Sequence, residues 1–298
     1  IYAIFLFLSD FSIISEKISN FKINYLPLIL LLVSVSWIPL IIKWHFLLKN
    51  SRINVPLTKS IAIFFSGSAF EVTPGQIGIL IKSQLLKTSS NISRTKTVPI
   101  VIVEKIYDLI GAILASVIGI IILGMESYLI IIAISVLATI FFFMYHRRSS
   151  ELVFNRITKL KFFSKYIDNM SEFYEVVKKS TSVKAATICI LLALTYWFII
   201  SAAAYYTLIA FDVNLLDYLK VLAIYATSTL LGAISFIPGG IGITEGSITG
   251  LFTLNGIDVS TALILSVMIR IFTLWYSVGV GFVALKFTGG FSFRNNPE

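Results

Sequence analysis

The chain has 298 residues, of which 57% are hydrophobic and 13% are charged, against about 25% charged residues in a typical soluble domain. A mean hydropathy of +0.92 excludes an ordinary soluble protein and predicts one all-α, polytopic integral membrane helix bundle over residues 1–298. The net charge of +9 is concentrated in a few connections, which favours membrane orientation over nucleic-acid binding.

The apolar runs, taken in chain order, predict the spanning helices. "IYAIFLFLS" begins at Ile1 and lacks the cleavage site of a signal peptide, so we interpret it as the tail of a truncated N-terminal span. Four later runs are long enough to span outright, and a fifth, Ser127–Tyr145, is just long enough at about 20 residues per span. The four are Tyr25–Leu48, Val98–Leu123, Ala185–Ala210 and Ser260–Lys286.

Two further apolar segments are interrupted near their middle. Ser60–Ile81 contains "FEVTPGQIG" and Tyr218–Leu254 contains "FIPGGIG". Proline removes a backbone donor and clashes with the preceding turn, and glycine adds backbone freedom. We therefore expect both helices to break at these motifs.

Basic residues divide the connections into two groups. Residues 49–59, 82–96 and 146–184 are rich in Lys and Arg, whereas residues 124–127 and 211–217 contain none. The positive-inside rule places the first group, with Lys82, in the cytoplasm and the second group outside. Residues 146–184 are also amphipathic, which predicts a basic helix on the inner leaflet or, alternatively, a platform for a soluble partner.

The two interruptions form a short repeat, "TPGQIG" at 73–78 and "IPGGIG" at 237–242. By the predicted topology the first broken hairpin enters from the cytoplasm and the second from outside. Two inverted re-entrant hairpins are the architecture of alternating-access transporters, with a substrate site at the repeat interface. The alternative is that both motifs are packing kinks in ordinary helices.

Charged residues also lie inside the predicted spans. Glu104 and Asp108 are four residues apart and share a helix face, and Arg270 lies near the middle of the last span. Buried charge in a membrane is costly, so these groups predict a cavity or a structural Glu104/Asp108–Arg270 pair. Lys105 lies on another face, from which it can reach the inner surface.

The half-helix that starts near Ile241 predicts free N–H groups and a positive dipole end for an anion. Glu245, in its first turn, is open to three interpretations: a helix cap, a partner of Arg270, or a proton carrier. We find no Walker A lysine motif, no dinucleotide fingerprint and no metal-ligand spacing around His45 or His146. The sequence therefore predicts no cofactor, no metal and no catalytic residue.

At these motifs the sequence resembles the flippase-like membrane family that contains the transmembrane region of lysylphosphatidylglycerol synthases. Its pattern runs T-P-G-x-x-G, E-R-x-x-D, P-G-G-x-G-x-x-E and then an intramembrane arginine. Lys105 replaces the arginine of the second motif and lacks its bidentate fork. The matching positions, which are our candidate substrate- or ion-binding residues, are Thr73, Pro74, Gly75, Gly78, Glu104, Asp108, Pro238, Gly239, Gly240, Gly242, Glu245 and Arg270.

The resemblance implies a multi-pass protein of the cell membrane that translocates an anionic or aminoacylated phospholipid, or a polyprenyl-linked lipid, between leaflets. Its partners would be membrane lipids, with no nucleic acid. In the synthases an aminoacyl-transferase domain follows the membrane region, and the end of this chain at "FTGGFSFRNNPE" predicts that this activity is absent. Two alternatives stay open: an accessory subunit that presents a lipid to a separate lipid-modifying transferase, and an ion-coupled carrier of a small solute.

Overall fold

The computed structural model describes residues 20–122, 127–145 and 170–288, and within them it is an all-helical bundle without strands. A 3-10 turn at Ile23–Tyr25 leads into the first helix. The helices, in chain order, are α1 Leu26–Asn50, α2 Leu57–Ser68, α3 Ile81–Ser90, α4 Arg94–Ile122, α5 Ser127–Tyr145, α6 Met170–Ser180, α7 Val183–Ala210, α8 Tyr218–Ile234, α9 Ile243–Leu254, α10 Val259–Arg270 and α11 Tyr276–Phe287.

The long helices coincide with the predicted spans. Among the described residues, three helices are long and apolar enough to cross a membrane: Ile23–Asn50, Val183–Ala210 and Val259–Phe287. The last of these joins α10 to α11 through a π-helical turn at Ile271–Trp275. Helix α4 has a similar length of 29 residues but contains three charged side chains in its middle. The predicted N-terminal tail and residues 146–169 of the basic connection lie outside the described residues.

Local capping fixes where several helices begin. Asp217 accepts a hydrogen bond from the Lys220 N–H at 2.9 Å at the start of α8. Asp258 accepts one from the Thr261 N–H at 3.0 Å at the start of α10. Short polar side chains at these positions satisfy N–H groups that the helix itself leaves without a partner.

Both predicted breaks are present. Helix α2 ends at Ser68, and a 3-10 turn at Pro74–Leu80 connects it to α3. Helix α8 ends at Ile234, and a 3-10 turn at Pro238–Gly240 precedes α9. We call α2, its turn and α3 the first broken hairpin, and α8, its turn and α9 the second broken hairpin.

Helices α1 and α7, which precede the two hairpins, pack against each other. The Lys22 N–H, just before α1, donates to the carbonyl of Ala210 at the end of α7 at 2.9 Å. At the opposite end, the Asn50 side chain donates to the carbonyl of Lys179, just before α7, at 2.7 Å. The two helices are therefore antiparallel.

The hairpins open toward opposite ends of this antiparallel pair. In the first, the Lys59 side chain at the start of α2 bonds the Ser89 carbonyl at the end of α3, close to where α1 ends. In the second, Gly256 after α9 lies beside Leu215, which follows α7. Each hairpin's first arm also packs against the span that follows the other hairpin: α8 against α4, and α2 against α11.

Each hairpin is embedded in its own apolar core. One cluster surrounds the second hairpin and includes Ile248, Phe252 and Leu265. The other surrounds the first hairpin and includes Phe64 and Leu85. The amphipathic helix α6 joins this second cluster, because it packs against α4.

Candidate functional site

The two breaks share a backbone conformation. Thr73 and Ile237, which precede the prolines, are both extended, as a residue before proline prefers. Gln76 and Gly240, at the matched fourth position of the motif, have φ of 54° and 64°. A left-handed glutamine is uncommon, so the match extends from the sequence to the local fold.

The breaks also contact each other. A Cβ atom on Gly239 would lie 3.5 Å from Val72 of the first hairpin. The two turns thus meet inside the bundle, at the place where the breaks leave a gap between helices.

A cavity of about 400 Å³ lies beside this meeting point. Both turns line it, through Thr73 and Gln76 on one side and Gly239 and Gly240 on the other. Its volume is in the range of small-molecule or headgroup pockets. Its other walls come from seven helices and the π-helical turn. The lining residues include Trp37, Leu40, Lys105, Asp108, Leu109, Ala112, Tyr196, Trp197, Ile200, Tyr225, Thr229, Leu230, Ala233, Thr244, Arg270, Thr273, Leu274 and Ser277.

One wall carries a carboxylate held by two lysines. Asp108 is bonded by Lys43, which is fully buried on α1. Lys105 lies 3.3 Å from the other Asp108 oxygen. The sequence analysis did not predict this contact, in which Lys105 and Asp108 lie three residues apart on α4 and both line the cavity.

The facing wall carries Arg270, the last residue of α10. Its Nε donates to Glu245 at 3.0 Å, and its Nη2 donates to the Gly239 carbonyl. Glu245 is 1% exposed and also accepts the Gly242 N–H at 2.6 Å. Glu245 is thus both a cap of α9 and the partner of Arg270.

This arrangement limits the N–H groups that were predicted to be free near Ile241, because α9 begins only at Ile243. The Gly240 and Ile241 N–H groups donate to the carbonyls of Ile237 and Pro238, and the Glu245 carboxylate accepts the Gly242 N–H. An anion at the Gly242 N–H would have to displace Glu245. The cations that an anion can reach in the cavity are Arg270 and Lys105.

A second ion pair is sealed away from the cavity. Lys82 donates to both oxygens of Glu104, at 2.7 and 3.0 Å, and both side chains are almost fully buried. The Lys82 ammonium lies 4.6 Å from the Trp44 ring centroid and 4.9 Å from that of Phe64, within cation–π range.

The expected pairing of Glu104 with Arg270 is therefore wrong. Each of them pairs with a residue of the hairpin that precedes it, since Lys82 lies on the first hairpin and Glu245 on the second. Lys82 is likewise not a solvated residue of the cytoplasmic connection, because it is only 3% exposed.

Glu71, at the tip of the first hairpin, lines the cavity without such a partner. Within the described residues its carboxylate has neither a hydrogen bond nor an ion pair; the charged groups that act on it from a distance are Lys105, Lys82, Asp108 and Glu104. Among the described residues, Glu71 is the only carboxylate of the cavity lining that has no bonded partner.

The rim of the cavity is apolar and open. Ile234, Phe236 and Ile237 at the end of α8 belong to its lining and are 60%, 71% and 37% exposed. The cavity is thus charged at one end and hydrophobic at its mouth, which suits an amphiphile.

The structure divides the sequence-predicted residues that it describes into two groups. Thr73, Asp108, Gly239, Gly240 and Arg270 line the cavity. Two of the others hold lining residues in place: Gly78 donates its N–H to the Thr73 hydroxyl at 2.8 Å, and Glu245 holds Arg270. The described residues outside the lining are Pro74, Gly78, Glu104, Pro238, Gly242 and Glu245, and the exposure of Gly75 lies outside what the structure describes.

Sequence reasoning missed several residues of the site. Lys43 lies inside the apolar run "PLIIKWHF", and this lone intramembrane charge could have identified it. Glu71 lies just before the first break, and its charge inside an apolar segment could also have identified it. The aromatic residues Tyr196 and Trp197 carry no distinguishing signal, because aromatic residues occur throughout the apolar runs.

Comparison with known proteins places this arrangement in a family. Residues 1–281 match the family model described as the lysylphosphatidylglycerol synthase TM region. The chain belongs to this family. The family resemblance inferred from the motifs is thereby confirmed, and the match covers both hairpins and the cavity between them.

Two proteins similar to the chain are named only as membrane proteins. UPF0104 membrane protein PH1989 of Pyrococcus horikoshii is 26% identical over 291 residues, which cover 87% of this chain and 85% of that protein. UPF0104 membrane protein MJ1078 of Methanocaldococcus jannaschii is 26% identical over 225 residues, which cover 72% and 91% respectively. Both similarities extend over most of each chain, and both agree with a membrane protein.

Proposed function

We propose that this family member is a multi-pass, flippase-like carrier that moves a lipid with an anionic headgroup between membrane leaflets. An anionic or aminoacylated phospholipid and a polyprenyl-linked phosphate all carry a phosphate group, which is the group that the site would recognise. The proposal rests on the cavity between the two breaks. This cavity has positive charge at Arg270 and Lys105 and an apolar rim at Ile234, Phe236 and Ile237. A carrier of a small polar solute has no need for that apolar mouth.

The packing of the helices supports alternating access. Helices α1 and α7 are antiparallel, the hairpins open toward opposite ends, and the first arm of each packs against the span after the other. This is the relation expected of an inverted repeat whose site lies between the two halves. Irregular backbone at membrane depth is tolerated where it lines such a cavity.

Headgroup recognition would then rest on Arg270, which offers N–H donors beyond those used by Glu245 and Gly239. Lys105 would supply a second positive charge across the cavity. The lipid's hydrocarbon chains would leave over the apolar rim, so only the headgroup needs to be enclosed. A cavity of about 400 Å³ fits that part of the lipid.

Reconstitution into vesicles tests the proposal. Phosphatidylglycerol with a fluorescent label should cross between leaflets faster with the wild-type protein than in protein-free vesicles, as measured by chemical quenching of the outer leaflet. Arg270→Lys should lower the rate at least tenfold, because lysine loses the fork that contacts Glu245, Gly239 and the phosphate. The exposed-site variant Glu175→Gln should behave as wild type.

An unchanged rate with wild-type protein would overturn the carrier proposal. If the same protein nevertheless binds the lipid, the result supports the accessory-subunit alternative, in which the lipid is presented to a separate transferase. Binding can be followed through the tryptophan fluorescence, since Trp37 and Trp197 line the cavity.

A further inference from the structure

The buried charges of the site balance. Among the described residues, eight charged side chains either line the cavity or are buried within the bundle around it. Four are cationic and four are carboxylates, so their formal charges cancel when all are ionised. The cations are Lys43, Lys82, Lys105 and Arg270, and the carboxylates are Glu71, Glu104, Asp108 and Glu245.

Three of the four carboxylates are held by cations at bonding distance. Glu104 is bonded by Lys82, Asp108 by Lys43 and Lys105, and Glu245 by Arg270. Protonating any of these would leave a buried cation without its partner, which is strongly unfavourable. Glu71 differs, because a proton on its carboxyl group breaks no bond within the described residues.

A ligand with one negative charge would upset this balance. Extra charge in a medium of low dielectric constant is costly, so the site favours a change that restores neutrality. Glu71 lines the same cavity as Arg270 and Lys105, so its carboxylate would repel the phosphate. Its protonation removes both the repulsion and the excess charge.

We propose that Glu71 is a proton-binding site whose occupation is coupled to binding of an anionic headgroup in the cavity. The inference rests on the proposed function. The charged groups that act on Glu71 are Lys105, Asp108 and Glu104 from α4 and Lys82 from α3, and all four are engaged in the pairs described above. The titratable hydroxyls of Tyr196 on α7 and Tyr225 on α8 face the same cavity. An anionic lipid would therefore bind with one proton, and a zwitterionic lipid of zero net charge would bind without one.

The test compares two short-chain lipids, phosphatidylglycerol and phosphatidylethanolamine, with detergent-solubilised protein between pH 5 and 8. Binding is measured by tryptophan fluorescence. The affinity of wild-type protein for phosphatidylglycerol should fall with rising pH, by up to about tenfold per unit. Its affinity for phosphatidylethanolamine should stay constant over the same range.

Glu71→Gln fixes the side chain in a neutral form. This variant should bind phosphatidylglycerol at pH 8 as tightly as wild-type protein does at pH 5, with no pH dependence. Glu175→Gln, on an exposed helix face, should keep the wild-type dependence. Persistence of the pH dependence in Glu71→Gln, or weaker binding at every pH because Glu71 contacts the lipid directly, would overturn the inference and leave lipid binding intact. Absence of binding of either lipid by wild-type protein would instead overturn the proposed function itself.

Discussion

The two broken hairpins are each joined to the following span by a buried ion pair, but the polarity of the pair is reversed. In the first hairpin α3 carries the cation, Lys82, and the span carries the anion, Glu104. In the second hairpin α9 carries the anion, Glu245, and the span carries the cation, Arg270. The second arm of each hairpin is thus tied to the following span by an ion pair, with the two charges exchanged.

The surroundings of the two pairs differ more than their geometry. The Lys82 ammonium of the Lys82–Glu104 pair lies over the rings of Trp44 and Phe64, and neither residue of the pair lines the cavity between the breaks. The Glu245–Arg270 pair leaves the guanidinium on the cavity wall. The comparison suggests a division of roles, in which the first pair holds its hairpin in place and the second also presents a cation to a ligand.

The largest effect is expected from cysteine labelling at the open end, or mouth, of each hairpin, because each cysteine should react from one side of the membrane only. Thr88→Cys lies at the mouth of the first hairpin and Asn214→Cys beside that of the second, and both positions are exposed. The basic residues near the first mouth predict that it is cytoplasmic. The two cysteines should therefore react with a membrane-impermeant reagent from opposite sides.

Wild-type protein is the control for this labelling, since its single cysteine, Cys189, is buried. Reaction of both variants from the same side would rule out the inverted arrangement of the hairpins.

The next largest effect is expected at the sealed pair. Lys82→Met leaves Glu104 buried without its cation, which should lower the free energy of unfolding by about 3–5 kcal/mol. Adding Glu104→Leu should recover much of this loss, because no lone charge remains. Denaturant unfolding in detergent micelles measures both variants.

Arg270→Met should cost less stability than Lys82→Met, because Glu245 keeps its bond from the Gly242 N–H. Additive effects of Lys82→Met and Glu104→Leu would contradict the coupling, and a larger loss at Arg270 would reverse the proposed division of roles.

A smaller effect is expected at the matched left-handed position of the two turns. Gly240→Ala forces a side chain onto φ of 64° and brings its Cβ to 2.7 Å from the Thr244 hydroxyl. We expect a loss of about 1–3 kcal/mol in thermal or denaturant unfolding. The reciprocal change Gln76→Gly should instead gain about 0.5–1 kcal/mol, because glycine adopts this conformation without strain.

Gly246→Ala is the control for this pair, since a Cβ at this position in α9 meets no atom within 4 Å. It should stabilise the protein by about 0.5–1 kcal/mol through helix propensity. Equal effects of Gly240→Ala and Gly246→Ala would show that the turn conformation is not a constraint.

The smallest effect is expected at an exposed pair, which gives the baseline for the two buried ones. Glu175 accepts a hydrogen bond from Lys179 at 2.6 Å, and this bond holds the pKa of the Glu175 carboxyl below its ordinary value. A carboxyl group whose pKa is lowered in the folded state stabilises that state at pH values above its ordinary pKa of about 4.3. This contribution is lost as the pH falls through the folded-state pKa.

Glu175→Gln should therefore show a barely measurable loss of stability at pH 7, which disappears as the pH is lowered below about 4. Unfolding curves of wild-type protein and Glu175→Gln at pH 7 and below pH 4 measure this loss. A loss comparable to that of Lys82→Met would mean that burial does not distinguish these pairs.

Much of the fold could be predicted because its signals are local. Apolar length identified the runs that form α1, α4 and α7, since a span needs about 20 apolar residues. Pro74 and Pro238 identified both breaks, because proline and the residue before it are incompatible with a continuous helix. The matched motifs also predicted that both hairpins break at the same place, and the backbone angles agree at the first and fourth motif positions.

The partners of the charged residues could not be predicted in the same way. Glu104 and Arg270 were recognised as costly intramembrane charges, but each has a partner that the sequence pattern does not single out. Lys82 follows the first break as one basic residue among several, and only its burial distinguishes it from a solvated lysine. The contact of Lys105 with Asp108 was likewise not predicted.

The sequence by itself therefore determined the helices, the two breaks and which spans carry charge, because length, proline and hydropathy act within a few turns of one helix. The tertiary structure alone decided that Lys82 pairs with Glu104, that Glu245 pairs with Arg270, and that Glu71 has no cation at bonding distance among the described residues. These choices depend on the rotation and tilt of helices that meet across the bundle, and long-range packing sets both.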